Sequence, residues 1–175
     1  MAGNIELKYA ASVAPTVTNL QSLASSQTWI TGWFSNSVNN TSNVYQDYLY
    51  SGTFTTNASN RQAGTIIVYV VGALNDTPTW PATATGTLGT EGTGSFTAAE
   101  MINSLCRPLV SFAVNATASQ IYAFPPTGIA QLFGDVGLPP YHCLYVTQNA
   151  STTTTAGFAS SGNAIYYTPI LSQYT

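Results

Sequence analysis

Eight short stretches rich in β-branched and aromatic residues recur along the chain, separated by Gly, Asn, Pro and Ser residues. Such stretches are typical of β-strands, and turn residues at this spacing indicate a sandwich or a barrel. The predicted strands are 5–10, 28–34, 45–56, 65–74, 109–114, 120–124, 142–148 and 164–171. The pattern therefore predicts an all-β, single-domain β-sandwich with an eight-stranded, jelly-roll-like arrangement, although other eight-stranded sandwiches share it.

One of the most hydrophobic of these stretches, 65–74, carries no charged residue. A membrane-spanning helix needs about 20 apolar residues, so this run is too short to cross a bilayer. Gly64 precedes it and Asn75 and Asp76 follow it, as turn residues do at strand ends. Its β-branched composition predicts a central strand that is buried on both faces.

One or two short helices are expected beside the strands. The segment 95–105 contains a capping box, with Thr97 as the N-cap and Glu100 three residues later. One or two helical turns are predicted at 127–134, and a short third helix is a further possibility at 18–26.

The chain is long enough for one domain with a substantial core. We expect an N-terminal arm at 1–15, which either reaches a neighbouring subunit or frays, and a sandwich body at 16–175. A long loop is predicted at 76–95, and a loop of this length is often functional. Within the third strand, Gly52 is a candidate β-bulge.

The scarcity of charge excludes several functions. Only 5% of the residues are charged, against about 25% in an average soluble protein. The basic residues are Lys8, Arg61 and Arg107. Three scattered cations cannot neutralise the phosphates that a nucleic-acid site contacts, so no nucleic-acid partner is expected. An uncharged surface of Thr, Ser, Asn and Gln gives weak repulsion between molecules and favours their association into an assembly.

The two cysteines and the one histidine suggest no reactive pair. Residues 1–6 lack the basic start and apolar stretch of a signal peptide, so Cys106 and Cys143 are expected to be reduced, buried thiols. His142 and Cys143 are neighbours in a predicted strand, and neighbouring side chains of a strand point to opposite faces. We therefore expect His142 to face solvent and Cys143 to lie in the core.

The remaining ionisable residues form no recognisable catalytic or metal-binding pattern, and neither zinc nor calcium spacing is present. The glycine-rich segment 86–92 lacks the lysine of a phosphate-binding loop. No enzyme activity and no cofactor are therefore expected. The six acidic residues are scattered: Glu6, Asp47, Asp76, Glu91, Glu100 and Asp135.

The aromatic residues point towards an interface. The chain has 11 tyrosines and three tryptophans, and Tyr and Trp are favoured where an apolar surface meets water. Trp80 either anchors a partner or folds back over its own sheet. The predicted contact residues are Trp80 with its neighbours Pro78 and Pro81, Asn39 and Asn40 of the 36–43 loop, and Ile5 and Lys8 of the arm.

Three blocks resemble a group of small virion structural proteins of tailed bacteriophages. They are NTSNVYQDYLYSG at 40–52, AGTIIVYVVGALNDTPTWP at 63–81, and LFG at 132–134 followed by LPPYHCLYVTQN at 138–149. The similarity extends over roughly 18–171, and no single block is diagnostic.

The resemblance implies a capsid decoration, or cement, protein. Such a protein binds the major capsid protein on the outer surface of the virion, bridges its subunits, and forms homodimers or homotrimers. It is made in the cytoplasm of the bacterial host, and it has neither a nucleic-acid nor a membrane partner. Two other roles stay open, a component of the tail tube or fibre and a carbohydrate-binding module displayed on the virion.

Overall fold

The computed structural model describes residues 4–59, 61–85, 88–151 and 157–174. These residues form the strands β1 (Ile5–Tyr9), β2 (Thr31–Phe34), β3 (Val38–Asn39), β4 (Asp47–Thr55), β5 (Gly64–Gly72), β6 (Ala84–Thr85), β7 (Gly92–Phe96), β8 (Cys106–Val114), β9 (Ile121–Gly128), β10 (Tyr141–Gln148) and β11 (Ala164–Tyr174). They also form one α-helix, α1 (Ala99–Leu105), and a 3₁₀-helical segment (Ala130–Val136).

The strands form two antiparallel sheets that pack face to face. The first sheet has the strand order β1-β11-β4-β9, and the second has the order β6-β7-β2-β10-β5-β8. The short β3 pairs with β10 on the same side as β2. Without β3, β6 and β7, the eight remaining strands are divided between the sheets as in a jelly roll, which confirms the predicted fold class.

Each of the eight predicted strands overlaps one of these eight strands. The run 65–74 corresponds to β5, which lies inside its sheet between β10 and β8. Ile66, Val68 and Val70 on one side of β5 are fully buried, whereas Ile67 and Tyr69 on the other side are half-buried. The predicted central position is thus confirmed, and the predicted burial is complete on the first face and partial on the second, where Val71 is fully buried in the second hydrophobic cluster.

The main core lies between the two sheets. Phe54 of β4 is at its centre, and its ring stacks with those of Phe112, Phe124 and Phe158 at centroid distances of 5.2–6.0 Å. The predicted irregularity at Gly52 is present as a register shift between Tyr50 and Gly52 of β4, but the extra residue of this bulge lies in β9. A Cβ atom at Gly52 would lie 2.6 Å from the carbonyl oxygen of Ala164, which explains the glycine.

A second hydrophobic cluster covers the outer face of the second sheet. Helix α1 and the segment that carries β6 and β7 pack there around the rings of Phe34, Phe96 and Tyr145. Because of this extra layer, seven of the eight residues of β10 are buried, on both of its faces. The prediction that His142 faces solvent is wrong, because its side chain points towards the first sheet and is fully buried between the sheets, whereas Cys143 faces the second cluster.

The helix predictions are correct in part. Helix α1 begins at Ala99, after an Ala98 cap without a side-chain hydrogen bond. Thr97 is not the N-cap, because its backbone N–H donates to the carbonyl of Thr83. At 127–134, β9 continues to Gly128 and the 3₁₀ segment begins only at Ala130.

Two further expectations about connections are corrected. The segment 18–26 contains turns and no helix, and Ser22 within it has a φ of +59°. The predicted long loop 76–95 contains β6 and most of β7. Gly92–Phe96 pairs with β2, so this part of the supposed loop is a strand of the second sheet.

Asp47 organises the connection between β9 and the 3₁₀ segment. Its Oδ1 accepts hydrogen bonds of 2.8 Å from the backbone N–H groups of Tyr48, Ile129 and Ala130. Replacing Asp47 with alanine is expected to lower the free energy of unfolding by about 1–3 kcal/mol, because these donors lose a charged acceptor. Chemical denaturation of Asp47→Ala measures this, with Asp76→Ala in an exposed turn as the control. Equal stabilities of the two variants would contradict the assigned role.

Candidate interaction surface

At one end of the sandwich, three connecting segments lie beside the paired first and last strands. These connecting segments, 35–46, 73–85 with 88–91, and 129–140, are joined to one another and to the strand ends by backbone hydrogen bonds. Ser37 donates to the carbonyl of Gly89 and Asn40 donates to that of Pro140, both at 2.8 Å. The sequence segments that were predicted as contacts thus lie at the same end of the molecule.

The first and last strands form a two-stranded ribbon at this end. β1 pairs along its whole length with the last five residues of β11, from Ile5 opposite Tyr174 to Tyr9 opposite Ile170. β4 pairs with β11 only up to Ile170. Residues 171–174 therefore pair with β1 alone, and the ribbon extends beyond the first residue of β4.

The ribbon carries an exposed apolar face. All five residues of β1 are exposed, and the large side chains of Ile5, Leu7 and Tyr9 keep 74%, 66% and 70% of their surface in solvent. These three residues alternate with Glu6 and Lys8, so they share one face of the strand. Apolar side chains this exposed in adjacent positions are typical of an interaction surface.

This apolar face continues along the outer side of the first sheet. Ile165, Tyr167 and Pro169 of β11 point into the sandwich, so Tyr166 and Ile170 point outward, on the same side as Tyr9. Tyr166 keeps 45% of its surface exposed. On β9 the outward Ile121, opposite Thr55 of β4, is 61% exposed. Ser51, Thr53 and Thr55 of β4 lie between β11 and Ile121 on this side, so the exposed apolar side chains are adjacent only along the ribbon and β11.

A cleft of about 280 Å³ opens beside the base of the ribbon, between the 35–46 segment and β11. Tyrosine rings and asparagine side chains line it together with small apolar groups. The lining residues are Val13, Ser37, Val38, Asn39, Asn43, Tyr45, Tyr48, Tyr167 and Pro169.

The two predicted asparagines have different positions. Asn40 is buried, and its Oδ1 accepts hydrogen bonds from the backbone N–H of Tyr45 at 2.8 Å and from the hydroxyl of Tyr48 at 3.0 Å. It holds the loop in shape from inside. Asn39 is exposed, and its Oδ1 accepts hydrogen bonds from the backbone N–H and the hydroxyl of Thr41.

Trp80 folds back over its own sheet, which was one of the two alternatives. Its half-buried ring packs against the second hydrophobic cluster. Gly89 lies beneath it with a φ of +77°, where a Cβ atom would come within 2.7 Å of the indole. Of the neighbouring prolines, Pro78 is exposed and Pro81 is half-buried. Pro78 and the exposed Leu74 therefore lie at the surface of this loop.

The ionisable groups of the interior serve packing. His142 Nε2 and the hydroxyl of Tyr50 share a hydrogen bond of 2.8 Å between the sheets, and burial lowers the pKa of His142 to about 3. Cys106 and Cys143 are unpaired and buried, and burial raises the pKa of both thiols to about 12. Thiols with such a high pKa are poor nucleophiles.

The described part of the chain contains no group of three or more His, Cys, Asp and Glu side chains that could hold a metal ion. Within the same residues, no helix has the length and apolar character that crossing a bilayer requires.

The sequence interpretation included Ile5 and Lys8 of the ribbon but missed Leu7, Tyr9 and Tyr166. The alternation of Ile5, Leu7 and Tyr9 with charged residues was a signal for a strand with one apolar face. What the sequence could not reveal is that this face lies on the outside of the sandwich.

No family model, no curated protein and no solved structure matches this chain. The function is therefore inferred from the surface itself.

Proposed function

We propose that this chain is a non-enzymatic virion structural protein that decorates the outer surface of a phage capsid and bridges major capsid subunits. The observation that carries the proposal is the exposed apolar face of the ribbon of β1 and β11, which continues along β11 to Tyr166 on the outer side of the first sheet. A surface with Ile5, Leu7 and Tyr9 all more than half exposed is unfavourable in water and favours a permanent partner.

The two sides of the sandwich differ in a way that fits such a role. The second sheet has its outer face covered by α1 and the segment with β6 and β7. The first sheet has outward side chains such as Tyr166 and Ile121 in solvent. A body whose second sheet is covered and whose first sheet is open to solvent can lie flat on a larger assembly.

The chemistry of the surface also supports a structural role. With so few charged residues in the whole chain, contacts made by this face are mostly apolar packing and hydrogen bonds of neutral side chains. Such contacts are screened little by salt, unlike ion pairs between exposed charges. The resemblance to small virion structural proteins of tailed bacteriophages points in the same direction.

A decoration protein of this kind acts by binding the closed lattice. Packed DNA and osmotic stress pull the capsid subunits apart, and a ligand that binds only the assembled arrangement shifts the equilibrium towards it. Many copies on one shell add their effects, so each contact need not be strong.

The proposal predicts that outward residues of the first sheet determine capsid binding. We expect Tyr166→Asp combined with Ile121→Asp to weaken binding to undecorated capsids about 100-fold or more, because two apolar contacts are replaced by buried charges. Co-sedimentation of the purified variant with capsids measures this. Ala113→Asp, at an exposed position of β8 in the second sheet, is the control.

Cryo-electron microscopy of the source particle tests the location. Copies arranged icosahedrally on the outer shell, with the first sheet towards the capsid, are expected. Density confined to the tail, or a variant that binds as well as the wild type, would refute the decoration role.

A carbohydrate-binding function is the second candidate, and the cleft beside the ribbon favours it. Tyr45 and Tyr167 offer rings to a sugar, and Asn39 and Asn43 offer amides. Binding of the purified chain to a glycan array, abolished by Tyr45→Ala, would favour this function over the first.

A further inference from the structure

We infer that two copies of this chain join edge to edge through β1, in an antiparallel arrangement around a two-fold axis at Leu7. The inference concerns self-association and does not depend on the capsid role.

The first step is the open edge of β1. This strand pairs with β11 on one side, and no described strand pairs with its other side. An edge strand exposes unpaired backbone donors and acceptors that can bind another strand. β1 is also exposed at all five residues, so nothing in the described part of the chain shields this edge.

The second step is the isolation of the ribbon. Residues 171–174 of β11 pair with β1 alone, so this part of the first sheet is only two strands wide. A two-stranded ribbon has marginal stability in water, and additional strands stabilise it. Joining two copies through β1 gives a layer of four strands, in the order β11, β1, β1 of the partner subunit and β11 of the partner subunit.

The third step is charge complementarity, and it selects the partner. With the axis at Leu7, Glu6 lies opposite Lys8 of the partner subunit, and by symmetry Lys8 lies opposite Glu6 of the partner subunit. Cross-strand pairs of opposite charge stabilise an antiparallel sheet. The chain has only three basic and six acidic residues, yet one of each lies in this five-residue strand.

The apolar residues agree with the same register. Leu7 lies opposite Leu7 of the partner subunit, and Ile5 lies opposite Tyr9 of the partner subunit. The nearest alternative axes are disfavoured, because an axis at Glu6 or at Lys8 would place two like charges directly opposite each other. The strand is thus self-complementary in one register, as a two-fold interface requires.

Charge exchange tests the inference. We expect the wild type to sediment as a dimer at low ionic strength. Glu6→Lys and Lys8→Glu should each weaken the dimer about tenfold, because each change turns two attractive cross-strand pairs into repulsive ones. The double variant Glu6→Lys/Lys8→Glu restores opposite charges across the axis, so it should dimerise like the wild type.

Sedimentation velocity over a range of protein concentrations measures these association constants, and circular dichroism checks the fold of each variant. A monomeric wild type, a trimer, or single variants that dimerise as well as the double variant would refute the inference.

A cross-linking experiment decides the register even if a charge variant folds poorly. Directly opposite residues of an antiparallel pair have Cα atoms about 5 Å apart, within the range of a disulfide. With copper–phenanthroline and dioxygen as the oxidant, Leu7→Cys should therefore form a covalent dimer. Ile5→Cys should not, because its partner residue lies roughly 13 Å away along the strand.

The native thiols do not interfere, since Cys106 and Cys143 are buried. Equal cross-linking at positions 5 and 7, or none at 7, would contradict the two-fold register.

Discussion

Replacing Phe54 with alanine is expected to lower the free energy of unfolding by about 3–5 kcal/mol. The side chain is fully buried, and its ring stacks with those of Phe112, Phe124 and Phe158, which come from three different segments of the chain. Removing the ring loses its transfer free energy and leaves a cavity that the three neighbouring rings cannot fill without leaving their rotamers. A loss of this size is a large part of the stability of an ordinary domain.

Urea denaturation followed by tyrosine and tryptophan fluorescence measures this change. Phe54→Leu keeps part of the volume and should cost clearly less than Phe54→Ala. Tyr166→Ala, which removes a ring that is 45% exposed, is the matched surface control and should change the stability by less than about 1 kcal/mol. Similar losses in Phe54→Ala and Tyr166→Ala would contradict the central position of Phe54.

Acidification is the second change with a large expected effect on stability, and the buried His142 is the residue that causes this effect. Burial lowers the pKa of His142 from 6.5 to about 3 in the folded protein, so the folded state keeps the ring neutral. The unfolded chain takes up a proton on this ring as the pH falls below about 6.5. Unfolding therefore binds a proton between these two values, and the folding equilibrium constant should fall up to about tenfold for each pH unit.

The buried environment of His142 explains why its pKa is lowered. Its ring packs against those of Tyr48 and Tyr50, and its Nε2 shares a hydrogen bond with the Tyr50 hydroxyl. Its Nδ1 is buried and has no hydrogen-bond partner among the described residues. A proton on the ring would place an unpaired charge between the sheets, which is strongly unfavourable.

The variant His142→Gln isolates this contribution, because it cannot titrate while the carboxyl groups of the chain still do. The stability of both proteins, measured by denaturation between pH 7 and pH 4, should diverge in slope below about pH 6.5, with the wild type falling more steeply. Parallel curves would show that His142 is protonated or solvated in the folded state.

Strands were the most predictable part of the fold. β5 and β10 are uncharged runs of β-branched and aromatic residues, and each of them appears where the sequence places it. β7 was missed because Gly-Thr-Gly-Ser-Phe has one large apolar side chain and two glycines, so its sequence does not have the pattern of a strand.

Errors at single residues come from tertiary contacts with distant parts of the chain. His142 was expected in solvent because its face of β10 was taken as the open one, but that face packs against Tyr48 and Tyr50 of the first sheet, and Cys143 is the residue that faces the outer cluster. Thr97 followed the pattern of a capping residue, but a hydrogen bond to Thr83 keeps it in the strand pair before the helix. Local patterns contain no information about such distant partners.

The candidate surface was predictable only in outline. Ile5 and Lys8 were named from the arm, and the structure places them on the exposed ribbon. Asn40 and its neighbour Asn39 are the same residue type, yet only Asn39 is accessible, because hydrogen bonds from Tyr45 and Tyr48 hold the amide of Asn40 inside the loop. Side-chain direction in a loop follows from packing that the sequence does not display.

The place of β11 has a consequence for how the protein is made. This strand lies between β1 and β4, so it supplies the neighbour of the first strand of the chain. During synthesis β1 leaves the ribosome before its partner strand. Its residues Ile5, Leu7 and Tyr9 stay unpaired until residues 164–174 have also left the ribosome. A translation product that stops before Ala164 has neither a closed first sheet nor a ribbon. The exposed ribbon is thus displayed only by chains whose synthesis has reached β11, and incomplete products are kept out of any assembly that depends on it.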